Sequence, residues 1–253
     1  MSADPRALLD LLPPIKRARG FWLYSSDGRR FLDFFQEGGK AVLGARGASV
    51  NAAMKAELDA GRACALPSLA LSRARRELAR LFPGRGSFEA FPSEREARES
   101  LLALGPAIGR AEWRPFLPEP ETEAMVVIPP LPSSVRPAFV LFRGERPSGF
   151  RADLPPASFQ VAAAIKALAA LRREEAEGAG ARVAGWKAFD RASGGLFIRE
   201  GPYIVPASTA DYAGLFVRFL TGGALLSPDP ARPSVIPGDF NPGALSFLKE
   251  TRA

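Results

Sequence analysis

The run Phe139-Val140-Leu141-Phe142-Arg143-Gly144-Glu145-Arg146-Pro147-Ser148-Gly149-Phe150-Arg151 decides how the rest of the chain is read. Residues 138–142 are continuously apolar, which predicts a strand buried on both faces, and Gly144, Pro147 and Gly149 follow as a turn. Upstream, Ala124–Ile128 is a second apolar run, and the two are expected as buried parallel strands. Downstream, Val161, Ile165 and Leu168 recur at helical spacing within 156–175, with 174–180 as a frayed, solvated end. This alternation of strands and helices argues an α/β fold.

Moving outward, Asp27-Gly28 separates two apolar runs and predicts a β-hairpin over 20–35. Asp27 and Asp33 are read there as turn and strand-surface residues. Val50, Met54 and Leu58 predict a helix over 49–60, stopped by Gly61. Leu71, Ala74, Leu78 and Leu81 predict another over 68–82, ended by Pro83-Gly84. A short strand is expected at 87–91. Ser93 and Glu96 form a capping box opening a helix that carries Ala97, Leu101, Leu104 and Ile108. The Pro/Glu-rich stretch 111–123 reads as a linker loop. Toward the C-terminus, 196–199 and 203–205 read as extended and 212–220 as a helix. A strand and a short terminal helix come after them, with turn chemistry at 238–243.

The chain contains no histidine, which excludes Ser-His, Cys-His and zinc-histidine mechanisms built from it alone. The single cysteine, Cys64, allows no internal disulfide and reads as a small buried apolar residue, and the expected location is cytoplasmic. No apolar run approaches a membrane span, and the first residues lack the apolar stretch of a signal peptide. The net charge of +7 keeps a basic nucleic-acid-binding protein as an alternative. Against it, the arginines are scattered, no run of five basic residues occurs, and no aromatic stacking motif accompanies them in sequence.

Residues 139–151 resemble the strand and turn "LIFDEVxTGFR" of class III pyridoxal-phosphate (PLP) aminotransferases. Residues 20–61 are similar to that family's N-terminal hairpin and helix, especially in glutamate-1-semialdehyde aminomutases. The hairpin matches at Gly20, Leu23, Asp27-Gly28-Arg29, Leu32-Asp33-Phe34, and the helix region at Gly44-Ala45-Arg46-Gly47, Val50, Ala53, Leu58 and Gly61. Two histidines of the family pattern are absent. Gly194-Gly195-Leu196-Phe197 resembles "G-S-M-F". Tyr212, Phe219-Leu220 and Gly223–Pro228 resemble the family's last helix and strand.

The resemblance implies a catalytic apparatus in three parts. The phosphate cup "F-x-N-S-G-T-E-A" appears as Phe91-Pro92-Ser93-Glu94-Arg95-Glu96-Ala97, with Glu94 for glycine and Arg95 for threonine. Pro92 and Glu94 remove a donor and the glycine of close approach. Arg143 stands at the ring-nitrogen aspartate, and Glu145 shares its face and can pair with it. The Schiff-base lysine segment "G-K-x-x-G-G-G" is missing between Gly149-Phe150-Arg151 and the helix from Pro156. The lysines are Lys16, Lys40, Lys55, Lys166, Lys187 and Lys249, none in a glycine-flanked context. A second shortening falls at 111–123, and Pro129-Pro130 replaces the family's Glu-Pro after Val126-Val127-Ile128.

The sequence is therefore read as an α/β remnant of the fold type I PLP-dependent transferase. A reduced central sheet is expected at 67–170, and a small α+β domain from both chain ends, 1–66 and 171–253. No catalytic residue, cofactor or metal site is assigned. Ser93, Arg95 and Arg143 are remnant-site candidates for a small anionic metabolite. The leading reading is a protein that has lost PLP catalysis and acts by association, as a homodimer or with a full-length aminotransferase, without a membrane.

Overall fold

The structure is a computed structural model that describes residues 4–45, 47–62, 64–131, 136–239 and 241–248. Arg46, Phe240 and Lys249, which figure in the sequence readings, lie outside the described residues. The elements are α1 (Pro5–Leu9), β1 (Ile15–Arg19), β2 (Trp22–Ser25), β3 (Arg30–Asp33), α2 (Gln36–Gly39), α3 (Ala48–Asp59), α4 (Leu69–Leu81), β4 (Ser87–Phe91) and α5 (Glu94–Ala103). They continue with β5 (Arg110–Trp113), β6 (Ala124–Val127), β7 (Ala138–Phe142), α6 (Ser158–Glu177), α7 (Ala179–Ser193), β8 (Phe197–Glu200) and β9 (Tyr203–Pro206). The last are α8 (Tyr212–Thr221), β10 (Ala224–Leu225), β11 (Ser234–Val235) and a 3-10 helix, Pro242–Leu248. Two compact units result: residues 1–46 with 176–253, and residues 47–175.

In the first unit, a four-stranded sheet runs β1-β2-β3-β10, antiparallel except for the parallel pair β3–β10. The predicted hairpin is β2–β3, with Trp22 opposite Leu32 and Tyr24 opposite Arg30. The Ser25 hydroxyl donates to Asp27 at 2.5 Å, and this bond with the neighbouring Arg29 holds the Asp27 carboxyl down at about 2. A second sheet, β11-β9-β8, is antiparallel. The core is aromatic: Phe31, Phe34, Phe189, Phe216 and Phe219 are essentially unexposed. Phe34 and Phe219 meet edge-to-face at 6.2 Å. Each such ring stabilises the unit by ~2 kcal/mol through area removed from water.

The expected frayed end at 174–180 is corrected. α6 continues to Glu177 and α7 starts at Ala179, ending at Gly194, whose φ of +56° suits a left-handed cap. Burial of Phe189, Arg182 and Ser193 anchors α7 despite its glycines.

In the second unit, the sheet order is β4-β7-β6-β5. β7 is antiparallel to both β4 and β6, and only β5 and β6 run parallel. The expectation that β6 and β7 are parallel is thus corrected. Their apolar runs report burial on both faces, which does not encode direction. The short connection 128–137 suits antiparallel neighbours, whereas a parallel crossover needs a dozen residues or more. The linker reading of 111–123 is corrected at its start, where 110–113 is strand β5. α4 buries Ala70, Ala74 and Leu78. α5 is shorter than its apolar stripe: Gly105, at φ +84°, follows its end, and Leu104 and Ile108 pack on the core from outside the helix. Val50 and Met54 of α3 pack against Leu131, Ala163 and Ala167, while Leu58 is 48% exposed and Cys64, expected to be buried, is exposed in the loop after α3.

Candidate functional site

The carboxyl ends of β4, β5 and β6 gather at one end of the second unit's sheet. Phe91 stands opposite Ala138, Val127 opposite Phe139, and Trp113 beside Val127. In open α/β sheets this end is where ligands bind. Ser93 sits here as the N-cap of α5, its hydroxyl accepting from the Glu96 N–H at 3.2 Å. The helix start is thus satisfied by its own cap.

The charge at this helix start is negative. Glu94 and Glu96 fill the first turn. Burial, then the nearby Asp153 carboxylate, pushes the Glu96 carboxyl upward. Carboxylates compete with any phosphate for the positive end of the helix. Arg95 does not offset them: its side chain is 87% exposed and faces Glu99 at 3.6 Å. The local compensation is Arg98, which bridges Glu94 and Glu112.

Arg143 lies at the opposite end of the sheet. β4 and β7 are antiparallel, so Phe142 pairs with Ser87, while Phe91, just before Ser93, pairs with Ala138. Arg143 is exposed, and the ion pair on its turn joins Arg146 to Glu89. The structure therefore brings Ser93 and Arg95 onto one helix start and does not bring Arg143 to them. One small anion cannot touch all three.

A cleft of about 200 Å³ does lie near the Arg143 end, between α4 and the start of β4, lined by Leu78, Phe82, Arg85, Ser87 and Leu141. Its buried cation is already committed. The Arg85 guanidinium donates to Glu119 at 2.7 Å and to the carbonyls of Pro120, Thr122 and Glu123.

PLP requires an anion cradle and an amine able to form a Schiff base. No lysine occurs between Lys55 and Lys166. Both of these are exposed, on α3 and α6. Of the other described lysines, Lys16 and Lys187 are exposed and Lys40 is half-buried, all in the first unit. The residues at the strand ends of the second unit do not fit this cofactor.

Sequence reasoning missed a different polar cluster, in the first unit. Asp33 is not a strand-surface residue. Its carboxylate accepts from the Gln36 N–H at 2.8 Å, and burial pushes its pKa up to about 6, with the Glu37 charge adding to the rise. Gln36 is 1% exposed and donates to the carbonyls of Asp33 and Val235. Gln36, Glu37, Gly38 and Gly39 all have positive φ, a left-handed turn that costs on the order of 1 kcal/mol for each non-glycine residue. The one signal in sequence was the Gly38-Gly39 pair.

No family model matches the chain. It is 27% identical over 259 residues to an uncharacterized protein of Borreliella burgdorferi, covering 96% of this chain and 91% of that one. It is 31% identical over 90 residues to a glutamate-1-semialdehyde 2,1-aminomutase of Heliobacterium modesticaldum, 36% of this chain and 21% of the enzyme. Among solved structures, an ornithine aminotransferase of Plasmodium yoelii superposes with a TM-score of 0.71 at 12% identity, covering 98% of this chain and 97% of that one. The fold resembles that of the class III, fold type I PLP-dependent aminotransferases. It is α/β with open mixed sheets, and the likeness runs nearly end to end. No helix among the described residues is long and apolar enough to cross a membrane.

Proposed function

We propose that this is a shortened, aminomutase-like protein of the class III aminotransferase fold that has given up PLP catalysis and works by association. The observation that carries this reading is the lysine distribution: none between Lys55 and Lys166, and those two exposed on helices. An internal aldimine needs a lysine amine at the cofactor. The acidic start of α5 supports the same reading, since Glu94, Glu96 and Asp153 disfavour a bound phosphate. Association with a second copy or with a full-length aminotransferase is supported by large apolar side chains left outside: Leu58, Leu66 and Leu69 are 48%, 61% and 79% exposed within one short stretch.

Two measurements test this. Calorimetric titration with PLP is expected to show no saturable heat, and a micromolar site would contradict the loss of the cofactor. Sedimentation of the purified chain, alone and mixed with an aminotransferase from the same cell, is expected to show a complex that a Leu66→Ser, Leu69→Ser variant weakens. A monomer under both conditions would contradict association.

A further inference from the structure

The strand register assembles a surface that is dispersed in the sequence. Arg17 stands opposite Tyr24, Arg19 opposite Trp22, and Tyr24 opposite Arg30. Residues directly opposite share a sheet face, so Arg17, Arg19, Trp22, Tyr24 and Arg30 lie together on one side of β1–β2–β3. The Arg17 guanidinium sits 4.4 Å from the centre of the Tyr24 ring, and that of Arg30 sits 4.8 Å from the Trp22 ring. All three arginines are exposed and both rings are half-buried, Trp22 with one side on the core beside its strand partner Leu32.

These arginines differ from those held in ion pairs. Arg29, Arg62, Arg80, Arg98, Arg146 and Arg199 each meet a carboxylate. Arg17, Arg19 and Arg30 have no carboxylate partner among the described residues. A guanidinium resting on a ring is positioned without being neutralised, so its N–H donors remain available to anionic oxygens. The two rings are two residues apart on β2, ~7 Å along the strand. Stacking rings set among arginines, on a chain of net charge +7, complement a strand of bases and phosphates.

We propose that this face of β1–β3 binds single-stranded nucleic acid, the arginines taking phosphates and the rings stacking bases. The site lies in the first unit and is independent of whether the second unit holds a cofactor. The missing basic run in the sequence is no obstacle, because strand pairing rather than chain order concentrates the charge.

The test uses the full chain and a fluorescent 20-nucleotide oligouridine, read by anisotropy. Three phosphates neutralised give a log–log salt slope of about −2, so affinity falls about fifteen-fold between 50 and 200 mM salt. Arg17→Glu with Arg30→Glu is expected to weaken binding at least ten-fold, while Arg76→Glu with Arg173→Glu, an equal charge change on exposed helix residues, costs less than three-fold. Tyr24→Leu is expected to weaken oligouridine several-fold and leave inorganic polyphosphate unaffected. The proposal is overturned by no binding at 50 mM salt, or by equal losses in the two double variants. It is also overturned if polyphosphate or phosphatidylserine vesicles bind as tightly as oligouridine with no dependence on Tyr24, which would make this a general anion or membrane surface.

Discussion

Asp33→Asn is the substitution whose effect the structure specifies most fully. The Asp33 carboxyl is raised from 3.8 to about 6, mainly by burial at the end of β3. The folded state therefore holds its proton more tightly than the unfolded chain does. Stability linked to this group is fully present below pH 4, falls as pH rises from about 4 to 6, and is flat above that. At about 1.4 kcal/mol for each tenfold change in proton affinity, the loss across the window is ~3 kcal/mol. Asparagine keeps an oxygen to accept from the Gln36 N–H but does not titrate. The stability difference, variant minus native, is thus expected to grow in favour of the variant by ~3 kcal/mol between pH 4 and pH 7. The assay is urea unfolding at a series of pH values, followed by Trp22 and Trp186 fluorescence in a Trp113→Phe background, so that the first unit alone reports. A difference that does not change with pH, or that shrinks toward neutrality, would refute the reasoning.

Three other outcomes follow from local geometry. Arg85→Ala strands a carboxylate and three carbonyls, and is expected to cost ~3 kcal/mol in chemical denaturation; a loss under 1 kcal/mol would show that the 119–123 segment does not depend on it. Gly44→Ala places a Cβ 2.5 Å from the Gly20 carbonyl oxygen at a φ of +64°, so it is expected to lower stability by at least ~2 kcal/mol. Gly61→Ala, with φ +70° but nothing within 4 Å, is expected to cost only ~1 kcal/mol by the same assay, and equal losses at the two sites would discount the clash.

The parts legible in the sequence are those set by local chemistry. β4 and the Ser93 cap follow from a short apolar run and a three-residue spacing, and the hairpin from Asp27-Gly28. The illegible parts depend on distant partners. β1 has five exposed residues and no apolar alternation, and it exists because β2 offers an open edge. The direction of β7 cannot be read from five buried apolar residues, although the length of the 128–137 connection hinted at it. That direction decides the candidate site, because it sends Arg143 away from Ser93. Asp33 looked like a surface residue because the segments that enclose it, near Leu225 and Val235, are far along the chain.

The central proposal is that none of the lysines among the described residues holds PLP as an internal aldimine. The direct measurement is to mix the purified protein with PLP, record the visible aldimine band, reduce with borohydride and map labelled peptides by mass spectrometry. The account predicts no stoichiometric band and only sparse labelling spread over exposed lysines such as Lys55 and Lys166. A single lysine labelled to completion, with a matching band, would contradict it.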